Sequence, residues 1–234
     1  MTKEIPQPPT TELKQKEFVA ILSEGIPTSA GILRGMIKAR VLNPSTCHRG
    51  IHTIYTPPNI LTAYVALRIK KDNDLTYWKD VGRSMAQGEI FRRYLRTIKE
   101  TDEWGNIYKA CIKKNIPIID YPELRPKPEC EMALILEAFS EKYSDVNTSQ
   151  EIIRQDAFLF VNTCKRLFKH WKRKDESIES TKNILDDAKL GNWDGVKQFV
   201  IDAGNKLIRD CSDKQDPIGT DFGIALLSLG LSLK

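Results

Sequence analysis

Residues 15–81 read QKEFVAILSEGIPTSAGILRGMIKARVLNPSTCHRGIHTIYTPPNILTAYVALRIKKDNDLTYWKDV. Phe18, Val19, Ile21 and Leu22 follow a helical period between Lys14 and Ser23. Gly25 marks the end of that helix, where glycine is common, and Pro27 turns the chain. Thr28 or Ser29 can cap a second helix by accepting a bond from its free N–H groups. In that helix Ile32, Leu33, Met36 and Ile37 define a buried face, while Arg34 and Lys38, four residues apart, share another. Val41-Leu42-Asn43-Pro44 closes it, because the residue before proline avoids the α region. Ser45 to Tyr55 has no helical period. Cys47-His48-Arg49-Gly50 reads as a hairpin tip and Ile51 to Tyr55 as a strand. Pro57 and Pro58 suit the start of a helix running to about Lys71, and Thr76 begins a shorter one with Trp78, Val81 and Met85.

Outward from this stretch, the first 14 residues, rich in Pro and Thr, read as a flexible arm. They lack the apolar core of a signal peptide. Beyond Gly88 the pattern is almost wholly helical. Residues 89–116 read as a helical connector with stripes at 91–99 and 106–114. Four prolines in IPIIDYPELRPKP make residues 117–128 a linker. Residues 129–234 read as a helical C-terminal domain for dimerisation or sensing, with helices at 129–143, 149–174, 176–188, 193–209 and 222–233, two of the breaks marked by Gly191 and Pro217.

The net charge of +5 is unevenly placed. Residues 1–88 hold 12 Lys+Arg against 7 Asp+Glu, and residues 89–234 hold 24 of each. The positive surplus therefore accompanies the two short helices and the basic hairpin, as neutralising phosphates would require. The five cysteines, at 47, 111, 130, 164 and 211, form no close pair and read as reduced thiols. His48 and His52 lack a third ligand at metal-binding spacing. No nucleophile elbow, phosphate loop or dinucleotide fingerprint is present, so neither an enzyme nor a cofactor is expected. No run of 18 apolar residues occurs, and a cytoplasmic location is expected.

Residues 29–38, SAGILRGMIK, resemble the second helix of the MerR family of transcription regulators. Val41-Leu42-Asn43-Pro44 looks like that family's helix exit. Arg49-Gly50 with Tyr55 resembles its wing, Thr56 to Leu61 its next helix start, and Leu75 to Val81 the segment after it. Three features differ, the first being that the family's long dimerisation helix is not evident here, since Gly88 and then Trp104-Gly105 interrupt the pattern. Arg40 stands where the family usually has glycine, and the turn before Thr28 is longer than the common form. The resemblance covers about 70 residues. It implies a mainly α fold, with a winged helix-turn-helix and its small β-hairpin wing over residues 15–88.

Such a domain would present Thr28, Ser29, Ala30, Arg34 and Lys38, with Arg40 at the exit, to a major groove, where arginine reads guanine. The wing would place His48, Arg49 and His52 on phosphates or in a minor groove. Tyr55 would offer its hydroxyl to a phosphate, although it reads equally well as a core tyrosine. The expected partners are double-stranded DNA, a second copy of the chain, and an unidentified effector of the C-terminal domain. Two other readings fit the same residues: an accessory DNA-binding factor of a mobile element, and a helical interaction protein without DNA.

Two further segments stand out. KRLFKHWKRK at 165–174 has six Lys or Arg in ten residues. It reads as an ordinary helix with Leu167, Phe168 and Trp171 turned inward, rather than as a second nucleic-acid or membrane contact. The apolar stretch at 221–234 reads as a buried terminal helix; its Asp-Phe-Gly triplet has no accompanying kinase motif.

Overall fold

A computed structural model describes residues 12–44, 53–117, 121–143, 148–171 and 175–234. The described residues are mainly helical, with one two-stranded antiparallel sheet. The chain divides into two compact units, one spanning residues 10–126 and the other containing residues 127–234.

In the first unit, β1 (Leu13–Lys14) leads directly into α1 (Gln15–Ser23), and α2 (Ala30–Lys38) follows. β2 (Ile54–Tyr55) pairs with β1, Leu13 opposite Tyr55. Leu13 is buried, so the expected arm gives up its last two residues to the sheet. Then come α3 (Pro57–Asp72), α4 (Trp78–Ala86), α5 (Gly88–Thr97), a single 3₁₀ turn, and α6 (Asp102–Lys113).

α1 is the hub, in contact with α2, α3, α6 and both strands. Its Phe18, Ile21 and Leu22 are fully buried, as are Leu33 and Met36 of α2 and Ile60 and Tyr64 of α3. Gly25 does end the α1 region, but its φ is not positive. A Cβ there would sit 2.2 Å from the Glu103 carbonyl oxygen. Glycine is needed because the first turn of α6 passes so closely.

Residues 89–116 are therefore not a connector. Trp104, Ile107, Tyr108, Cys111 and Ile112 of α6 are core residues of the first unit. The Trp104 indole donates to the Leu124 carbonyl, 3.1 Å away, and Leu124, Arg125 and Pro126 are buried. The expected linker thus belongs to the first unit as far as Pro126. Tyr64 ties α3 to α6 through its hydroxyl, which donates to Glu103 at 3.0 Å. Glu103 also pairs with Arg68 and Lys71. Burial raises the Glu103 carboxyl, but the Tyr64 hydroxyl and the two cations outweigh it and hold it below the usual carboxylate range.

The second unit contains α7 (Pro128–Lys142), α8 (Gln150–His170), α9 (Asp175–Lys189), α10 (Asp194–Ser212) and α11 (Pro217–Ser232). α7 and α8 are joined by two ion pairs and a glutamate–histidine contact. Glu129 meets His170 at 2.8 Å, Glu131 meets Arg166, and Lys142 meets Asp156 at 2.5 Å. The Tyr143 hydroxyl donates to the same Asp156 oxygen at 2.7 Å. Burial pushes the Asp156 carboxyl up, against the pull of Lys142 and Tyr143.

Two members of the basic 165–174 stretch, Arg166 and His170, are thus engaged by α7. Leu167 is buried as expected, but Trp171 is half exposed. α10 and α11 pack most intimately. A Cβ on Gly223 would lie 2.9 Å from the Ile208 backbone nitrogen and 3.0 Å from the Gly204 carbonyl oxygen. The terminal glycines, which lower helix propensity, are what let the two backbones touch.

Candidate nucleic-acid interface

α2 starts at a true cap. The Ser29 hydroxyl accepts from the Ile32 N–H at 3.3 Å, while Thr28, half buried, donates instead to the Ile26 carbonyl at 2.9 Å. One face of the helix is apolar, with Leu33 and Met36 at zero exposure. On the opposite face Ala30, Arg34 and Lys38 recur at i, i+4 and i+8, and all three are exposed. Gly31 beside them is also exposed. The face is thus small at its N-terminal end and cationic further on. Six residues, 24–29, join α1 to α2, more than the three or four usual in a helix-turn-helix.

The exit of α2 explains Arg40. The Val41 N–H bonds the Met36 carbonyl at 2.9 Å and the Arg40 N–H bonds the Ile37 carbonyl at 3.0 Å. This is the Schellman arrangement, which wants a left-handed residue at Arg40, and its φ is +57°. An exposed arginine holds that strained position. Arg40→Gly is expected to raise folding stability by up to about 1 kcal/mol, since glycine adopts positive φ without steric cost. Urea denaturation checks this. If Arg40 also meets a phosphate, the same variant makes the salt dependence of DNA binding shallower by about one unit of log–log slope.

Among the described residues, Arg34, Lys38 and Arg40 form no hydrogen bond or ion pair through their side chains. Of the other candidates, His48, Arg49 and His52 lie outside the described residues. Tyr55 is a core residue rather than a phosphate contact. It has no exposure, and its ring stacks on Phe18 at 4.1 Å with 14° between the planes. Pairing with Leu13 turns it inward, so its hydroxyl does not reach the surface.

The structure adds residues that sequence spacing alone does not single out. α4 lies against α2: a Cβ on Gly35 would come within 2.7 Å of the Trp78 indole, and one on Gly82 within 3.4 Å of the Val41 side chain. The Lys70 ammonium sits 5.5 Å from the Trp78 ring centroid. The same helix carries the exposed Lys79, which lies 5.3 Å from the Tyr77 ring centroid, and Arg83, which pairs with Asp80 at 3.2 Å. Their spacing is plain in the sequence, but the contact through Gly35 that sets α4 against α2 is not. Asn59 binds the other side of the exit, donating to the Asn43 carbonyl at 3.2 Å.

The unit boundary also sharpens the charge. Residues 10–126 hold 19 Lys+Arg against 12 Asp+Glu, a surplus of seven. The remaining residues hold 17 against 19. The described residues contain no group of three or more potential metal ligands and no helix long and apolar enough to cross a membrane. Burial pushes the Cys111 and Cys164 thiols up to about 12, leaving neither as a thiolate near neutral pH. Comparison with protein families, with curated proteins and with solved structures finds no match to this chain.

Proposed function

We propose that residues 15–88, within the unit of residues 10–126, form a winged helix-turn-helix that binds double-stranded DNA sequence-specifically, and that the chain is a homodimeric transcription regulator. One observation carries the reading. A capped, two-faced helix has its apolar side in the core and its Ala30, Arg34 and Lys38 side exposed. It belongs to a unit with a surplus of seven positive charges. Base edges in a major groove are read by such a face, with arginine on guanine, while the neighbouring cations fix register on phosphates. The acidic second unit, with its helical pairs, would serve dimerisation or sensing.

The test uses the full chain. Duplexes enriched by it from a random pool are titrated by fluorescence anisotropy. Arg34→Ala is expected to weaken the enriched duplex by about ten-fold or more, as removal of one guanine-reading side chain does, and to leave the melting temperature unchanged. Ser29 is a poorer probe, because its substitution also removes the helix cap. If the full chain enriches no duplex and shows no affinity at about 50 mM salt, where phosphate contacts are strongest, the proposal fails.

A further inference from the structure

α5 is a surface helix with no fully buried residue. Its Ile90, Phe91, Tyr94 and Leu95 side is half buried, and the helix contacts α3 and α4. Tyr94 accepts at its hydroxyl from the Asn73 side chain at 3.1 Å. On the other side Arg92, Arg93 and Arg96 are all exposed. Among the described residues none of the three forms an ion pair. Three arginines within five residues repel one another, and an ordinary solvated helix relieves that repulsion with glutamates one turn away. Here Glu89 stands one turn before Arg92 and Arg93 and Glu100 one turn after Arg96, yet none of the three arginines pairs with either.

We infer that this arginine face is a second duplex-DNA contact, one that grips phosphates and reads no bases. The inference rests on the proposed DNA-binding function. α4 packs against the exit of α2 and runs into α5 with only Gln87 between them. The nine residues of α4 span about 13 Å and the ten of α5 about 15 Å. Both lengths together stay within one turn of a duplex, about 34 Å. Exposed cations stand on three elements: Lys38 with Arg40 at α2, Lys79 with the Asp80-paired Arg83 on α4, and the three arginines on α5. Guanidinium groups suit phosphate because they pair with it bidentately. A membrane surface fits less well, because an amphipathic helix needs a free apolar side, and that of α5 faces its own unit.

The test compares the full chain with the Arg92→Gln/Arg93→Gln/Arg96→Gln variant. Anisotropy titrations use a mixed-sequence duplex of about 30 base pairs, between about 50 and 200 mM KCl. The triple variant is expected to bind with a salt slope shallower by about two to three, near 0.9 for each phosphate that is no longer neutralised, with an unchanged melting temperature. A control, Lys182→Gln/Lys189→Gln/Lys206→Gln, removes three exposed charges from the second unit and is expected to leave the slope unchanged. An unaltered slope in the arginine variant overturns the inference while DNA binding stands. An equal fall in both variants also overturns it, since net charge alone would then be at work. Co-sedimentation with phosphatidylserine vesicles that disappears in the arginine variant, with the DNA slope unaltered, assigns the face to lipid and overturns it too. If the wild-type chain does not bind the duplex at all, the underlying function falls together with the inference.

Discussion

Replacing Asp156 with alanine is expected to destabilise the second unit by about 3–5 kcal/mol, the usual cost of breaking a buried ion pair on one side. Asp156 is 4% exposed and receives both the Lys142 ammonium and the Tyr143 hydroxyl. The Lys142 side chain is itself only 10% exposed. Removing the carboxylate takes this partner away from a largely buried cation between α7 and α8. The pair as a whole is a different matter, because apolar residues of similar volume often replace buried pairs at little cost. The double variant Lys142→Met/Asp156→Leu is therefore expected to recover most of the stability. Urea denaturation followed by circular dichroism measures both. A single-variant effect within about 1 kcal/mol, the range of an exposed pair, would show that this contact is solvated in practice.

Trp104→Ala is expected to cost the first unit a similar amount, about 3–5 kcal/mol, from reduced burial and the cavity left behind. Trp104 is 1% exposed and lies 5.5 Å from the Tyr64 ring. Its indole N–H also satisfies the buried Leu124 carbonyl. Trp104→Phe separates the two contributions. It keeps most of the apolar packing but removes the donor, and its expected cost is about 1–3 kcal/mol. If alanine and phenylalanine destabilise equally, the hydrogen bond is the larger contribution and the packing account of α6 is wrong.

These two residues also show what the sequence discloses. Most helix positions were legible to within a few residues: the pattern ending near Lys71 is α3, to Asp72, and that at 193–209 is α10, Asp194 to Ser212. The helix expected at 222–233, however, already starts at Pro217, which opens it rather than breaking the chain before it. Apolar periodicity marks a helix that has a partner, and proline and capping residues mark its start. Periodicity does not name the partner. The stripe Trp104, Ile107, Tyr108, Cys111 on α6 packs against α1, some 80 residues earlier in the chain. No local signal carries that pairing, so a core helix reads as a connector.

The exits are harder to read. Five described residues have positive φ, and Gly191 alone among them is glycine. The others, Arg40, Asp74, Asn115 and Gln215, are polar residues that accept the strain because the closing hydrogen bonds hold them there. Within the candidate interface, the exposure of Arg34 and Lys38 follows from spacing alone. The burial of Tyr55 does not, because it depends on pairing with Leu13, which sits in a stretch that reads as a flexible arm.

The boundary at residue 127 also bears on speed. A polyanion approaching this protein meets a field dominated by residues 10–126, while the faintly acidic remainder is repelled. With DNA as the proposed partner, encounters would be biased toward this unit before any short-range contact forms. Association would then quicken at low ionic strength and slow steeply as salt shortens the Debye length to about 8 Å. Dissociation, governed by close contacts, would respond far less. For the proposed DNA partner, the division of charge between the two units would favour first contact through residues 10–126, whatever the sequence of the duplex.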